Sequence, residues 1–366
     1  MAIGLDQLRR FAVARSLFTP TSLKQALQQF GFVQADPIRA PARAQDLTMR
    51  HRVVDYRAGD LERRYAVLGI EEDFFINYGY VTADVHALMH PRRVVPAWPD
   101  GRRARSERLL AFVREQGTVH PREAHARFAH GTVTNYWGGS SNATTHLLDA
   151  LHYRGLLRVA DRKSGIRVYA ARERTPLPLD RLQVSARIDA LIDVVVGIYA
   201  PLPRPGLATM ARLRYAVPQW RGELKAGLER ALKRLSRCRV DGVDWFWPAG
   251  ESTDGADPGD RVRLLSPFDP VVWDRRRFEL LWGWAYRFEA YTPAVKRKLG
   301  YYALPLLWRE RVIGWANVSW RAGELGVDLG FVESRPVGHG FKRALDSELD
   351  QMRAFLAREE SAPSVE

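Results

Sequence analysis

One cysteine, Cys238, stands among 366 residues. A lone thiol excludes disulfides within the chain and any zinc or iron–sulfur site that needs several thiolates. It also suits a reducing compartment. No apolar run approaches the roughly 20 residues of a membrane helix. The N-terminal stretch MAIGLDQLRRFAVARS interrupts its apolar residues with charge, unlike a signal peptide. Lysine is sparse. The nine histidines show no paired spacing of a zinc site. A soluble, cytoplasmic protein with no metal and no cofactor is expected.

Positive charge is abundant. The formal net charge is +14 and the sequence pI is about 10.1. That balance favours an anionic partner, nucleic acid ahead of a membrane surface, and a nucleoid-associated location. An arginine-rich, lysine-poor chain also arises from a GC-rich genome. The length suits two to four modules.

Helical spacing dominates to about residue 90, with Thr21 or Ser22 as a helix cap and Gly31 as a stop. A basic stretch with three prolines, HPRRVVPAWPDGRRARSER, reads as a linker. Beyond it lie three helical patterns, SERLLAFVREQG, TVHPREAHARF and NATTHLLDALHYRGLL, the last with Asn142 as cap. LLRVADRKSGIRVYAA then reads as two strands around Lys163–Ser164–Gly165. Three helices and a hairpin form the winged-helix order, whose third helix often enters a DNA groove. A similar order recurs from 183 to 248, with a turn at Asp241–Gly242, and residues 1–60 carry a more altered copy. The last hundred residues alternate like paired strands, with turns at Glu310–Arg311 and Ala322–Gly323. They end in a helix that turns Leu345, Leu349, Met352 and Leu356 to one face.

Within GFVQADPIRA, Gln34 and Asp36 stand two apart and Pro37 follows. Asp before Pro is an ordinary helix start, carboxylate at the cap and proline in the first turn. The alternative is a carboxylate placed for chemistry. Arg43 and Arg50 lie seven apart, on one face of a helix toward phosphate or toward solvent. His51 is a DNA contact, a supporting partner or an ordinary histidine. Trp137 is either core or a stacking platform. Arg162, Lys163 and Arg167 on the wing are phosphate contacts or solvated turn charges. Arg275, Arg276, Lys296, Arg297 and Tyr301 mix cations with aromatics, which suits a DNA backbone surface or a salt-bridged interface. Asp269 in PFDP is a second Asp–Pro, ranked structural.

The tandem winged-helix pattern, VQADPIRAPARAQDLTMRHRV and LLSPFDPVVWDRRR…FEAYTPAVKRKLGYYALPLLW together resemble the AlkZ/YcaQ-like winged-helix DNA glycosylases over nearly the whole chain. The resemblance implies an α+β, helix-rich fold with three tandem winged-helix domains, at 1–95, 96–178 and 179–262. A C-terminal β-rich, barrel-like domain follows at 263–366. It also implies a monofunctional glycosylase that excises N7-alkylated guanine from double-stranded DNA, unhooks interstrand crosslinks and works as a monomer. The family motif is Gln–hydrophobic–Gln or Gln–hydrophobic–Asp. Gln34–Ala35–Asp36 matches the second, YcaQ-like branch, with an alanine smaller than the usual middle residue. The resemblance makes Asp36 the base and electrostatic stabiliser and Gln34 the residue that positions water. The runner-up from a different class is a non-catalytic winged-helix regulator of transcription.

Overall fold

A computed structural model of the chain describes residues 3–93, 98–134, 138–173 and 178–357. Helices and sheets are mixed throughout. The chain gathers into two compact units, each drawn from separate stretches of sequence. The first contains Met1–Leu61, Ile192–Thr209 and Glu229–Glu366; the second contains Glu62–Leu191 and Met210–Leu228.

In the first unit, the helix Leu5–Ser16 is followed by Leu23–Phe30. Ser22 caps the second helix through a full capping box with Gln25, and Gly31 ends it at φ 70°, a left-handed position that glycine adopts without a Cβ penalty. The short strand Phe32–Gln34 leads into an irregular segment, and the helix Ala44–Met49 begins only after Pro37 and Pro41 have passed. Every residue of that short helix is buried. The hairpin Ser236–Val240 with Val243–Trp247 is joined by the short strand Leu202–Pro203 on its second strand.

Four antiparallel strands form the C-terminal sheet: Val262–Leu264, Leu304–Trp308, Arg311–Arg321 and Glu324–Phe331, in that order. The barrel-like closure expected from the resemblance is not formed; among the described residues the sheet is open. The long helix His339–Leu356 packs against the first strand, and the Leu264 N–H on that strand donates to the Glu348 carboxylate at 2.8 Å. A side chain thus takes a donor that a closing strand would need. The helix buries Leu345, Met352 and Leu356 as the periodicity predicts. It also buries Glu348, while Leu349 is only half-buried.

The second unit holds an antiparallel hairpin, Ile70–Phe74 with Tyr78–Thr82, inside the stretch that helical spacing claimed for helices. Its three-residue loop carries no Gly pair, so the turn signal was weak. Farther on come the helices Asp100–Gln116, Pro121–Phe128 and Ala143–Tyr153 and the hairpin Leu157–Lys163 with Ile166–Ala171. The short strand Thr118–Val119 pairs with the second hairpin strand. Asn142 caps the third helix by accepting from the Thr145 N–H at 3.0 Å. Ser164 and Gly165 turn the hairpin with φ 50° and 78°, the geometry of a two-residue type I′ turn. Trp137 lies outside the described residues.

Candidate functional site

Gln34 closes its short strand, and Asp36 follows in extended, irregular chain. No helix starts at Asp36–Pro37, so the cap reading fails. The Asp36 Oδ1 instead accepts from the Ile38 N–H at 2.9 Å, an Asx turn across the proline. The Asp36 N–H donates to Oε1 of buried Gln45 at 3.3 Å. Loop and helix thereby fix the carboxylate from both sides of its backbone.

Asp269 repeats the local chemistry. Its Oδ1 accepts from the Val271 N–H at 2.9 Å, again across a proline. There the likeness stops. Asp269 is wholly buried, and both of its oxygens take the Arg52 guanidinium, at 2.7 and 2.9 Å. Bidentate pairing consumes that carboxylate. Asp36 is half-buried, and among the described residues no cation pairs with it. Burial raises its pKa, opposed only by the Ile38 N–H. The carboxylate is therefore more basic than an ordinary aspartate.

Gln34 is held from the far end of the sequence. The Trp273 indole Nε1–H donates to Gln34 Oε1 at 2.8 Å, and the Trp273 ring stacks on Tyr199 at 4.7 Å. Trp273 follows Asp269 by four residues, so the segment that anchors Arg52 also orients the glutamine. Buried Arg277 ties the same segment down by donating to the carbonyls of Pro270 and Val271 at 3.2 and 3.0 Å, and to Pro201 at 2.8 Å. The Trp273 N–H thereby fixes the orientation of the Gln34 amide.

Aromatic side chains lie within electrostatic reach of the carboxylate. The Tyr302 hydroxyl is pushed well above its ordinary pKa, first by burial and next by the Asp36 charge. Exposed Tyr291 is shifted upward by the same two causes in the same order. Phe288 joins them, with ring centroids 6.0 Å from Tyr291 and 5.0 Å from Tyr302. Sequence reasoning missed Trp273 and Tyr291, and read Tyr302 only as part of the cation–aromatic pattern around Tyr301. The signal for the first was its place four residues after an Asp–Pro that mirrors Asp36–Pro37.

The candidate cations fall into two classes. Lys163, Arg275, Arg276 and Lys296 are exposed, with Arg275 and Arg276 opening the helix Arg275–Trp282 under an Asp274 cap. Arg276 meets Glu279 at 3.3 Å. Arg297 is half-buried, lies 5.0 Å over the Tyr301 ring and donates to the Thr292 carbonyl at 2.8 Å. Arg43 is half-buried ahead of the helix Ala44–Met49. The other three arginines hold carboxylates. Arg50 is buried against Glu348. In the second unit, Arg162 donates twice to Glu72 at 2.6 Å, and Arg167 pairs with Asp149 at 3.0 Å. His51 is buried, its Nε2 on the Leu264 carbonyl at 3.0 Å, and burial holds its pKa well below the usual value.

The histidines do contain a pair. His86 and His90 are four apart, stack at 4.1 Å and meet buried Asp73, whose Oδ2 lies 3.5 and 2.7 Å from their Nε2 atoms. The i, i+4 spacing was in the sequence and was overlooked. Arg92 occupies the other Asp73 oxygen at 2.8 Å and lies 4.7 Å over the Tyr153 ring. With a guanidinium on the same carboxylate, the cluster works as a buried hydrogen-bond network.

Comparison with known proteins gives two findings. A family model described as "DNA glycosylase AlkZ-like" matches residues 27–355. A solved structure, the Streptomyces sahachiroi DNA glycosylase AlkZ, superposes with a TM-score of 0.64 at 16% sequence identity, covering 97% of this chain and 97% of that one. At that identity the likeness is one of fold.

Proposed function

The chain belongs to the AlkZ-like DNA glycosylase family, and on that premise we propose that it hydrolyses the N-glycosidic bond of N7-alkylated guanine in double-stranded DNA. N7 alkylation makes guanine cationic and a good leaving group, so no enzyme acid is needed to protonate it. The remaining tasks are to stabilise an oxocarbenium-like sugar and deliver water to C1′. One carboxylate can serve both. Asp36 activates the water and places negative charge beside the cationic sugar; Gln34, its amide oriented by Trp273, positions the water.

The observation that carries this reading is the contrast between two Asp–Pro carboxylates. Asp269 is locked to Arg52, whereas among the described residues the Asp36 carboxylate takes a backbone hydrogen bond from Ile38 and no cation, and its pKa is shifted upward. A base needs the second environment. Water as nucleophile requires no lysine, and the nearest in sequence to the motif is Lys24, exposed on the preceding helix Leu23–Phe30. We expect base release without strand cleavage.

The order helix, helix, helix, hairpin in residues 96–178 supports a winged-helix reading there, and we extend it to 1–95 and 179–262, with 263–366 as the β-rich domain. Exposed Lys163, Arg275, Arg276 and Lys296 are the candidates for phosphate contact. Arg43, Arg297 and Tyr301 are further candidates in the first unit, while Arg50, Arg162 and Arg167 act through the carboxylates they hold. We extend the substrate to interstrand crosslinks joined through N7 and take the protein to act as a monomer. The family does not favour a purely regulatory role. The test is incubation with 7-methylguanine duplex and with nitrogen-mustard-crosslinked duplex, read on a denaturing gel before and after abasic-site cleavage. Free base with intact strands before cleavage supports the reading; no free base from either duplex refutes it.

A further inference from the structure

The first unit contains a cavity of about 650 Å³ that the glycosylase reading leaves unused. Its wall carries Arg263, from the strand Val262–Leu264, together with Arg57 and Arg261. Arg263 is 8% exposed. Its hydrogen bond is a long one, 3.4 Å from Nη1 to the Pro258 carbonyl. Among the described residues no carboxylate pairs with it.

The buried charges around it do not balance. Arg50 takes the Glu348 carboxylate, which also accepts from the Leu264 N–H at 2.8 Å. Arg52 takes both oxygens of Asp269. Neighbouring His51 is held neutral by burial. Three buried guanidinium groups thus share two buried carboxylates, and the one left over faces open space. Burial, and then the like charge of Arg261, lower the Arg263 pKa to about 10. Asp260 on the rim is engaged by Arg309. Glu348 and Asp269 act on Arg263 from a distance, but both are already bound to other arginines. A buried cation with no carboxylate of its own is costly, and an anion in the cavity would relieve it.

We propose that this cavity binds a phosphate group, with Arg263 at its floor and Arg261 and Arg57 at its mouth. Guanidinium groups match phosphate oxygens in pairs, and the volume accommodates a mononucleotide. The site is separate from Asp36. Gln45, near the start of the helix Ala44–Met49, meets the Asp36 N–H, and Arg50, just past its end, lines the cavity. The phosphate comes either from the DNA backbone or from a free phosphate compound, and the inference stands whether or not the glycosylase chemistry is as proposed.

The test titrates the full chain with inorganic phosphate and with deoxyadenosine monophosphate, against chloride at equal ionic strength. Binding is read by thermal shift and by phosphorus NMR line width. The expected result is a phosphate-dependent rise in Tm in the wild type and at least a tenfold weaker phosphate affinity in Arg263→Gln. Arg261→Ala, at an exposed position, weakens affinity without touching the buried network and serves if Arg263→Gln fails to fold. Lys24→Ala, away from the cavity wall, leaves affinity unchanged. Displacement of phosphate by undamaged duplex assigns the site to the DNA backbone; persistence beside duplex assigns it to a free phosphate compound. Equal effects of phosphate and chloride, or unaltered affinity in both arginine variants, overturn the proposal.

Discussion

Asp36→Asn separates the proposed chemistry from the fold. Asparagine keeps the side-chain volume and the carbonyl oxygen that accepts from the Ile38 N–H at 2.9 Å, so the Asx turn survives. Only the charge is removed. Burial raises the Asp36 pKa, so the folded state disfavours the ionised form relative to the unfolded chain. At neutral pH that charge therefore costs stability, and its removal leaves Tm unchanged or raises it. Catalysis should move the other way. Loss of a positioned general base costs about 10²–10⁴ in rate. Asp36→Ala also loses the hydrogen bond, worth about 1 kcal/mol. That should lower Tm by about 2–4 °C in a unit of this size. Asp269→Asn is the counter-case, because it breaks a buried bidentate pair with Arg52 at a cost of about 3–5 kcal/mol. The assay is single-turnover release of 7-methylguanine alongside calorimetric melting for all three variants. The reasoning is refuted if Asp36→Asn stays within about tenfold of the wild-type rate, below what a general base supplies. A fall in Tm as large as that of Asp269→Asn would also refute it.

Trp273→Phe removes the indole N–H that Gln34 accepts but keeps a ring to stack on Tyr199. The rate should fall about tenfold, the worth of one hydrogen bond to the site, with DNA affinity unchanged; a loss confined to affinity would make Gln34 a binding residue. Pairing Arg52→Met with Asp269→Leu should recover most of the stability lost in either single variant, because no buried charge is then left unpaired. Double-variant melting at or below the singles refutes that. His86, buried beside His90, has its pKa lowered from 6.5 to about 2. The unfolded chain then binds the extra proton, so stability should fall below pH 6.5 by about 1.4 kcal/mol per pH unit from this residue. His86→Gln should flatten the slope measured in urea between pH 6.5 and about 5; an unaltered slope refutes the assignment.

Local signals in the sequence were legible where one or two residues decide the backbone. Ser22, Gly31 and Asn142 are caps and stops as predicted. The turns at Ser164–Gly165, Asp241–Gly242 and Ala322–Gly323 all have both residues at positive φ. The fourth turn falls at Arg309–Glu310, one residue before the expected position, with Arg309 at φ 55°. The hairpin at 70–82 was hidden because its loop lacks such residues. At the site, the motif was visible but its setting was not. An Asp–Pro reads the same whether a helix follows or an Asx turn does. What separates Asp36 from Asp269 is Arg52, a contact that spans 217 positions in sequence. The burial of Arg50 was equally invisible, since its carboxylate is Glu348, in a register where the periodicity placed leucines.

The hydrogen bond from Trp273 to Gln34 spans 239 positions, and on the ribosome that distance is time. At about 5–20 residues per second, roughly 12–50 s separate the emergence of the motif from that of the indole that orients it. A nascent or truncated chain ending before Trp273 therefore carries Gln34 and Asp36 without the arrangement that makes them a pair. Synthesis itself delays the proposed chemistry until Trp273 has emerged, with three of the four C-terminal strands and the last helix following it in sequence.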